Sequence, residues 1–295
     1  MAYNVVGIGE ILWDLLPSGP QLGGAPANFA YHAHALGGNA QVISRVGRDQ
    51  LGRDIFDRIG AMGLSSTGLQ TDETAPTGTV TVELDDKGVP AYTIHENTAW
   101  DRIAAAAESL SLAGAADAVC FGSLAQRSPV SRETIQRLVS ATPAKAWRVF
   151  DINLRQHFYS RETIERSLQL ASVLKLNDGE LPVLADMFAL AGDSARQLES
   201  LAKTFGLQVV ALTRGADGSL LYRDGDWSDC KPEPVDVVDT VGAGDAFTAA
   251  LVLGLLHGET LEEMHEFASE VAGYVCTRAG ATPALPERLS LYYSK

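Results

Sequence analysis

The chain has 295 residues, 46% of them hydrophobic and 20% charged, which is room for a large α/β core of ordinary globular composition. Its formal net charge is −14 and no basic run interrupts it, which excludes nucleic acid and acidic membrane surfaces as expected partners. Any anionic ligand must then be held locally, by backbone N–H groups, single arginines or a bridging metal. Cys120, Cys230 and Cys276 stand alone, without a CxxC pair, as buried thiols of a reducing compartment do. The N-terminus has no basic n-region, and the apolar run at 246–256 stops at His257-Gly258-Glu259. A cytoplasmic protein without a membrane span is expected.

In chain order, residues 3–9 (YNVVGIG) are predicted as a strand passing from edge to core. Gly7-Ile8-Gly9 is followed by Leu12 where a dinucleotide fingerprint needs glycine, so that reading is incomplete. The apolar segment to Leu16 carries Asp14, a turn residue or a ligand. Gly23-Gly24-Ala25-Pro26-Ala27-Asn28 opens a helix that Gly37-Gly38 stops. Asn28 then lies in the first turn. There it either bonds locally or, beside exposed backbone, serves a polyol, which needs donors and acceptors rather than charge. His32 and His34 are two apart and face different directions.

Residues 41–47 are predicted as a strand and 54–62 as a helix that begins near Asp49-Gln50-Leu51-Gly52. Thr79–Leu84 alternates with period two, Asp85–Gly88 is a hairpin turn, and Ala91–His95 returns. With a strand near 11–22, the 77–100 region makes a β-excursion. Trp13, Phe29, Tyr92 and Trp100 would line it, pack in an interface between two copies, or simply pack the sheets. From 117 the βα alternation resumes: a strand at 117–123, a helix at 132–140, a strand at 147–151. That last strand delivers Asn153 and Arg155 at its carboxyl end, where open parallel sheets hold ligands. A strand at 173–176 ends in Asn177-Asp178-Gly179-Glu180, which fits a capping box. A buried strand at 209–212 runs into Thr213-Arg214-Gly215-Ala216-Asp217-Gly218, and 260–278 is a long helix before the loop 279–283.

The most informative stretch is Asp239-Thr240-Val241-Gly242-Ala243-Gly244-Asp245-Ala246-Phe247, a small-residue turn feeding an apolar helix. Free N–H groups and the helix dipole make such a turn an anion site. A carboxylate at 245 would repel a bound phosphate unless it served as base for an incoming hydroxyl. The competing reading is that Asp239 or Asp245 only caps the helix. No GxxxxGK[ST] occurs, which removes a P-loop mechanism.

DTVGAGDAF and GGAPANFA resemble the C-terminal and N-terminal signatures of the ribokinase-like sugar kinases, the phosphofructokinase B family, and look most like its bacterial fructokinases. FDINLR, the Asn177-x-x-Glu180 element and the Thr213 turn resemble its further motifs, in order, over nearly the whole chain. The resemblance implies a ribokinase-like three-layer α/β/α fold with a mostly parallel central sheet and a small β-strand lid, in one domain of residues 1–295. It implies an ATP-dependent sugar kinase: Asp245 as general base, Gly242, Ala243 and Gly244 as backbone anion hole, Asp14, Gly24, Asn28 and Arg155 on the sugar or transferred phosphate. Asn177, Thr213, Gly215 and Gly218 would bind nucleotide. Glu180 would hold Mg²⁺ through water, and Asp239, with carbonyls of the loop 276–282, a monovalent cation such as K⁺. Positioning rather than a raised pKa is asked of Asp245. The sugar-facing residues at 14, 24 and 28 are Asp, Gly and Asn, with only Arg155 and Arg127 to supply positive charge, so a neutral sugar, D-fructose, is expected. Ribose, 2-keto-3-deoxygluconate or a nucleoside are the alternatives within kinases. A catalytically silent sugar-binding protein is the alternative outside them, and Asp245 speaks against it. A homodimer through the lid is the one self-association left open.

Overall fold

A computed structural model describes residues 2–17, 19–84 and 90–294. The hairpin turn expected at 85–88 lies outside the described residues. In chain order the elements are β1 (Asn4–Ile8), β2 (Leu12–Leu16), β3 (Gly19–Gly23), α1 (Ala25–Ala35), β4 (Asn39–Gly47), α2 (Gln50–Ala61), β5 (Leu69–Asp72), β6 (Gly78–Leu84), β7 (Pro90–Ile94), α3 (Ala107–Gly114) and β8 (Ala118–Phe121). They continue as α4 (Pro129–Ala141), β9 (Trp147–Asp151), α5 (Arg161–Leu170), β10 (Val173–Asn177), α6 (Leu181–Phe188), α7 (Ser194–Phe205) and β11 (Val209–Thr213). The last are β12 (Ser219–Arg223), β13 (Asp226–Cys230), α8 (Ala243–His257), α9 (Leu261–Cys276) and α10 (Glu287–Ser290).

Nine strands form the large sheet in the order β13-β12-β11-β10-β9-β8-β1-β4-β5. Pairing is parallel from β11 through to β5, and β12 and β13 add an antiparallel hairpin at one edge. β1, expected to run from edge to core, is interior: it pairs with β4 on one side and β8 on the other. Its side chains alternate between two cores, as the two-residue period of a strand requires. Val5 joins α1, α8 and α9 on one face, while Val6 and Ile8 join α4 and α5 on the other. Burial on both faces explains why these strands read as apolar runs rather than as an alternation.

A second sheet, in the order β3-β2-β6-β7, is built from the segments at 12–23 and 78–94. The chain leaves β1 for β2 and later returns to β8 on the other side of β1, so strand order reverses there. That reversal opens a crevice outside the carboxyl ends of β1 and β8, where open α/β sheets bind ligands. Of the four aromatics expected near the smaller sheet, Phe29 and Trp100 are core residues, 1% and 0% exposed. Trp13 is part-buried and donates Nε1–H to the Leu51 carbonyl at 3.0 Å, and Tyr92 is exposed. No helix among the described residues is long and apolar enough to cross a membrane.

Candidate active site

The turn before α8 is fixed from outside the helix. Asp239 accepts the N–H of Val241 at 3.0 Å and of Gly280 at 2.9 Å, while the Cys276 carbonyl accepts the N–H groups of Val238 and Asp239. Asp239 is thus tied to the loop following α9. Gly242 takes φ 79°, and a Cβ there would stand 2.3 Å from the Ala281 carbonyl oxygen. Gly242→Ala is therefore expected to destabilise the fold by about 1–3 kcal/mol, from left-handed strain and backbone displacement together, read as a lowered Tm. Of the three expected anion donors, Ala243 already turns its N–H onto the Thr240 carbonyl at 3.3 Å. The N–H groups of Gly242, Gly244 and Asp245 find no acceptor among the described residues. The N-terminus of α8 therefore presents unpaired donors at the mouth of the crevice.

Asp245 stands in the first turn of α8 and remains reachable from the crevice. Asn28 Nδ2, from the first turn of α1, donates to its Oδ2 at 2.9 Å. The two segments singled out in the sequence, 217 residues apart, meet in this one bond. Burial, followed by the charge of Asp151, pushes the Asp245 carboxyl up to about 7; the Asn28 amide, Lys175 and Arg155 pull it back. Positioning alone was expected of this group, and its position also makes it a stronger base.

Beneath it lies an ion pair that the sequence reading did not find. Lys175 Nζ meets Asp151 Oδ1 at 3.2 Å, both side chains being below a tenth exposed. Thr248 Oγ1 donates toward Asp151 Oδ2 at 3.0 Å and lies 2.9 Å from the Gly244 carbonyl. A Cβ on Gly244 would come within 2.9 Å of Lys175 Nζ, so the second glycine of the turn makes room for the cation. Burial works against the Lys175 charge, but Asp151, Glu180 and Asp245 outweigh it and hold its pKa above the ordinary value. The available signal was a lysine inside the apolar strand Val173-Leu174-Lys175-Leu176, a charge at a buried register that needs a partner.

On the β2 side, Asp14 packs against the backbone of Gly23, where a Cβ would be 2.3 Å from Asp14 Oδ2. Burial raises its carboxyl to about 6 against the pull of Arg155. Gly24, at φ 109°, starts α1 directly against Glu10, whose carbonyl oxygen would be 2.4 Å from an added Cβ. Glu10 itself, which the sequence gave no reason to single out, is 2% exposed. Its Oε2 has no partner, and burial pushes it up to about 7. Arg155 is exposed and its guanidinium reaches the Leu154 carbonyl at 3.1 Å; its charge is felt at Glu10, Asp14 and Asp245. Arg127, the other cation expected nearby, is consumed by Asp101 instead.

The remaining residues gather at the ends of β10 and β11. Asn177 and Glu180 bond reciprocally: Glu180 Oε2 accepts the Asn177 N–H at 2.8 Å, and Asn177 Oδ1 accepts the Glu180 N–H at 2.9 Å. Glu180 Oε1 accepts the Leu154 N–H at 2.8 Å. Burial, then Asp151, raises the Glu180 carboxyl. Asn177 stands beside Thr213 in register, with Gly215 in the turn that follows. Gly218, at φ 86°, closes that turn against the Cys230 carbonyl. On α1 the two histidines diverge: His32 Nε2 pairs with the Ala281 carbonyl at 2.9 Å, and His34 Nδ1 faces Gly38.

Residues 20–288 match the pfkB family of carbohydrate kinases. The chain is 30% identical over 312 residues to a fructokinase of Escherichia coli, covering 100% of both chains. It is 28% identical over 307 residues to a putative sugar kinase of Pyrococcus horikoshii, covering 97% of this chain and 94% of that one. The crystal structure of the Pyrococcus protein superposes with a TM-score of 0.84 at 27% identity, covering 98% and 96% of the two chains. A fructokinase of Vibrio cholerae, crystallised in a fructose-, ADP- and calcium-bound form, superposes with a TM-score of 0.80 at 25% identity, covering 98% and 97%. The crevice at the strand reversal, the carboxylate at the head of α8 and this full-length kinship lead to one conclusion: the chain belongs to the pfkB family of carbohydrate kinases and is an ATP-dependent sugar kinase.

Proposed function

We propose that this enzyme phosphorylates D-fructose on a primary hydroxyl, O6 or O1, with Asp245 as general base. The observation that carries the reading is Asp245 itself. It is a carboxylate raised to about 7, held by Asn28 from the neighbouring helix and standing beside unpaired N–H groups. In the step, the sugar hydroxyl gives its proton to Asp245 as its oxygen bonds to the γ-phosphorus, and ADP leaves with the electrons of the broken P–O bond. The unpaired N–H groups of Gly242 and Gly244 receive charge developing on the phosphoryl oxygens, while that of Ala243, the third expected donor, is held by the Thr240 carbonyl. Asp14, Gly24 and Asn28 orient the sugar, Arg155 faces it or the transferred phosphate, and Asn177, Thr213, Gly215 and Gly218 hold the nucleotide.

Magnesium, when bound to the triphosphate, neutralises its charge. Glu180 fits a role through water and no closer one, because both its oxygens already accept backbone N–H groups. No cluster of three or more metal-ligating side chains occurs among the described residues. Asp239 would serve K⁺ beside its two N–H contacts; equal rates in potassium and in a bulky organic cation would remove that assignment.

A neutral sugar is supported by the company of the crevice: Glu10, Asp14 and Asp245 share it with Arg155 alone as the cation acting on all three. Fructose itself rests on the fructokinases of Escherichia coli and Vibrio cholerae as relatives. ADP release over a sugar panel tests it. A kcat/KM for ribose, adenosine or ketodeoxygluconate tenfold above that for fructose would leave only the kinase class.

Asn28→Ala removes the donor that favours ionised Asp245, so the base becomes harder to ionise. The acid limb of kcat/KM, expected near pH 7 in the native enzyme, should move to higher pH, with a loss of about 1–3 kcal/mol in transition-state stabilisation. A pH profile unchanged from wild type would separate Asn28 from the base.

A further inference from the structure

A second cavity, of about 500 Å³, lies where the chain leaves the carboxyl ends of β8 and β9, at the N-terminal openings of α4 and α5. Its wall residue Phe158 belongs to the core shared with α4 and α5, whereas Ala246 and Phe247 of α8 belong to the opposite core. None of the residues assigned above to sugar, nucleotide or base lines it. Arg102, Arg127 and Arg132 do, against Glu96 and Asp101, and Arg102 is itself drawn to Asp72 Oδ1 at 3.8 Å.

The arginines are not equivalent. Arg127, with its side chain 6% exposed, places Nε and Nη2 on the two oxygens of Asp101 at 2.8 Å each and lies 3.8 Å over the Trp100 ring. That pairing neutralises Asp101, yet Arg127 Nη1 is buried with no partner, an arrangement that ordinarily costs stability unless a ligand or water answers it. Arg132, in the first turn of α4, has no ion pair or side-chain hydrogen bond among the described residues. Two helices open at the cavity: α4 after Ser128, whose side chain makes no cap bond, and α5 after Ser160. Both direct their N-terminal dipoles toward it. The cavity exceeds what a bare oxyanion fills and falls in the range of small-molecule sites, with Phe158, Tyr159 and Pro129 as apolar wall.

We infer that this cavity is a second binding site, for a phosphorylated sugar, with the phosphoryl group between Arg132 and the openings of α4 and α5. Occupancy would bear on the smaller sheet, because Arg127 Nη2 holds the His95 carbonyl at 2.6 Å just beyond β7. Gln156 holds the Tyr92 carbonyl within β7 at 2.8 Å.

Calorimetric titration with glucose 6-phosphate, and separately with inorganic phosphate, tests the site in wild type, Arg132→Glu and Asn28→Ala. Arg132→Glu is expected to weaken glucose 6-phosphate by about tenfold or more while leaving kcat without it unchanged, and Asn28→Ala should leave its binding unaltered. Inorganic phosphate should bind about tenfold more weakly than the sugar phosphate. Ser128→Asp, which keeps a good helix cap but opposes an anion, should repeat the Arg132→Glu result should that variant fold poorly. Absence of binding, loss in Asn28→Ala instead of Arg132→Glu, or equal affinity for inorganic phosphate would each overturn the assignment.

Discussion

Asp245→Asn is expected to lower kcat by about 10²–10⁴-fold, the usual contribution of a positioned general base, while sugar affinity changes far less. The substitution is nearly isosteric, and the Asn28 amide, 2.9 Å away, can still find the carboxamide oxygen. What disappears is a proton acceptor whose pKa burial has raised to about 7. The sign for pH follows: wild-type activity needs ionised Asp245, so kcat/KM rises with pH through that value, and the residual activity of the variant should lose this limb. Near-normal turnover in a folded Asp245→Asn protein would rule out the base.

Lys175→Met is expected to destabilise the protein by about 3–5 kcal/mol, the cost of stranding a buried charge, measured as a lowered denaturation midpoint. Methionine fills the volume, but Asp151, 4% exposed, keeps only the Thr248 hydroxyl as partner. Asp151 already raises the pKa of Asp245, and Lys175 lowers it. Losing the lysine while the aspartate stays charged should therefore move the acid limb of kcat/KM upward as well. Restoring stability with Asp151→Asn in the same chain would identify the pair as the cause; a double variant no better than the single one would refute it.

The sequence by itself determined the fold class and the two poles of the crevice. Local chemistry dictates both. Apolar strands buried on two faces read as continuous runs, and the small residues at 23–25 and 242–244 leave little choice but tight turns into helices. Gly24 at φ 109° and Gly242 at φ 79° are conformations that such spelling announces. The Asn-x-x-Glu spacing was legible in the same way; its reciprocal bonds have the form of a capping box but close the turn between β10 and α6, whose own cap residue, Glu180, makes no side-chain cap bond.

Other features belong to the tertiary structure alone. That Asn28 holds Asp245 required α1 and α8 to pack side by side, and no local pattern encodes a contact across 217 residues. That Asp239 spends its oxygens on Val241 and Gly280 depends on where the chain passes after α9. The pKa values of Glu10, Asp14 and Asp245 rise chiefly because neighbouring elements remove water from them, and desolvation is a property of the assembled walls rather than of the residue. The charge under the site was spelled out as a lysine in an apolar strand. Its partner was settled only when parallel pairing set Lys175 opposite Asp151, since strand register, which sequence leaves free, decides which two buried charges meet.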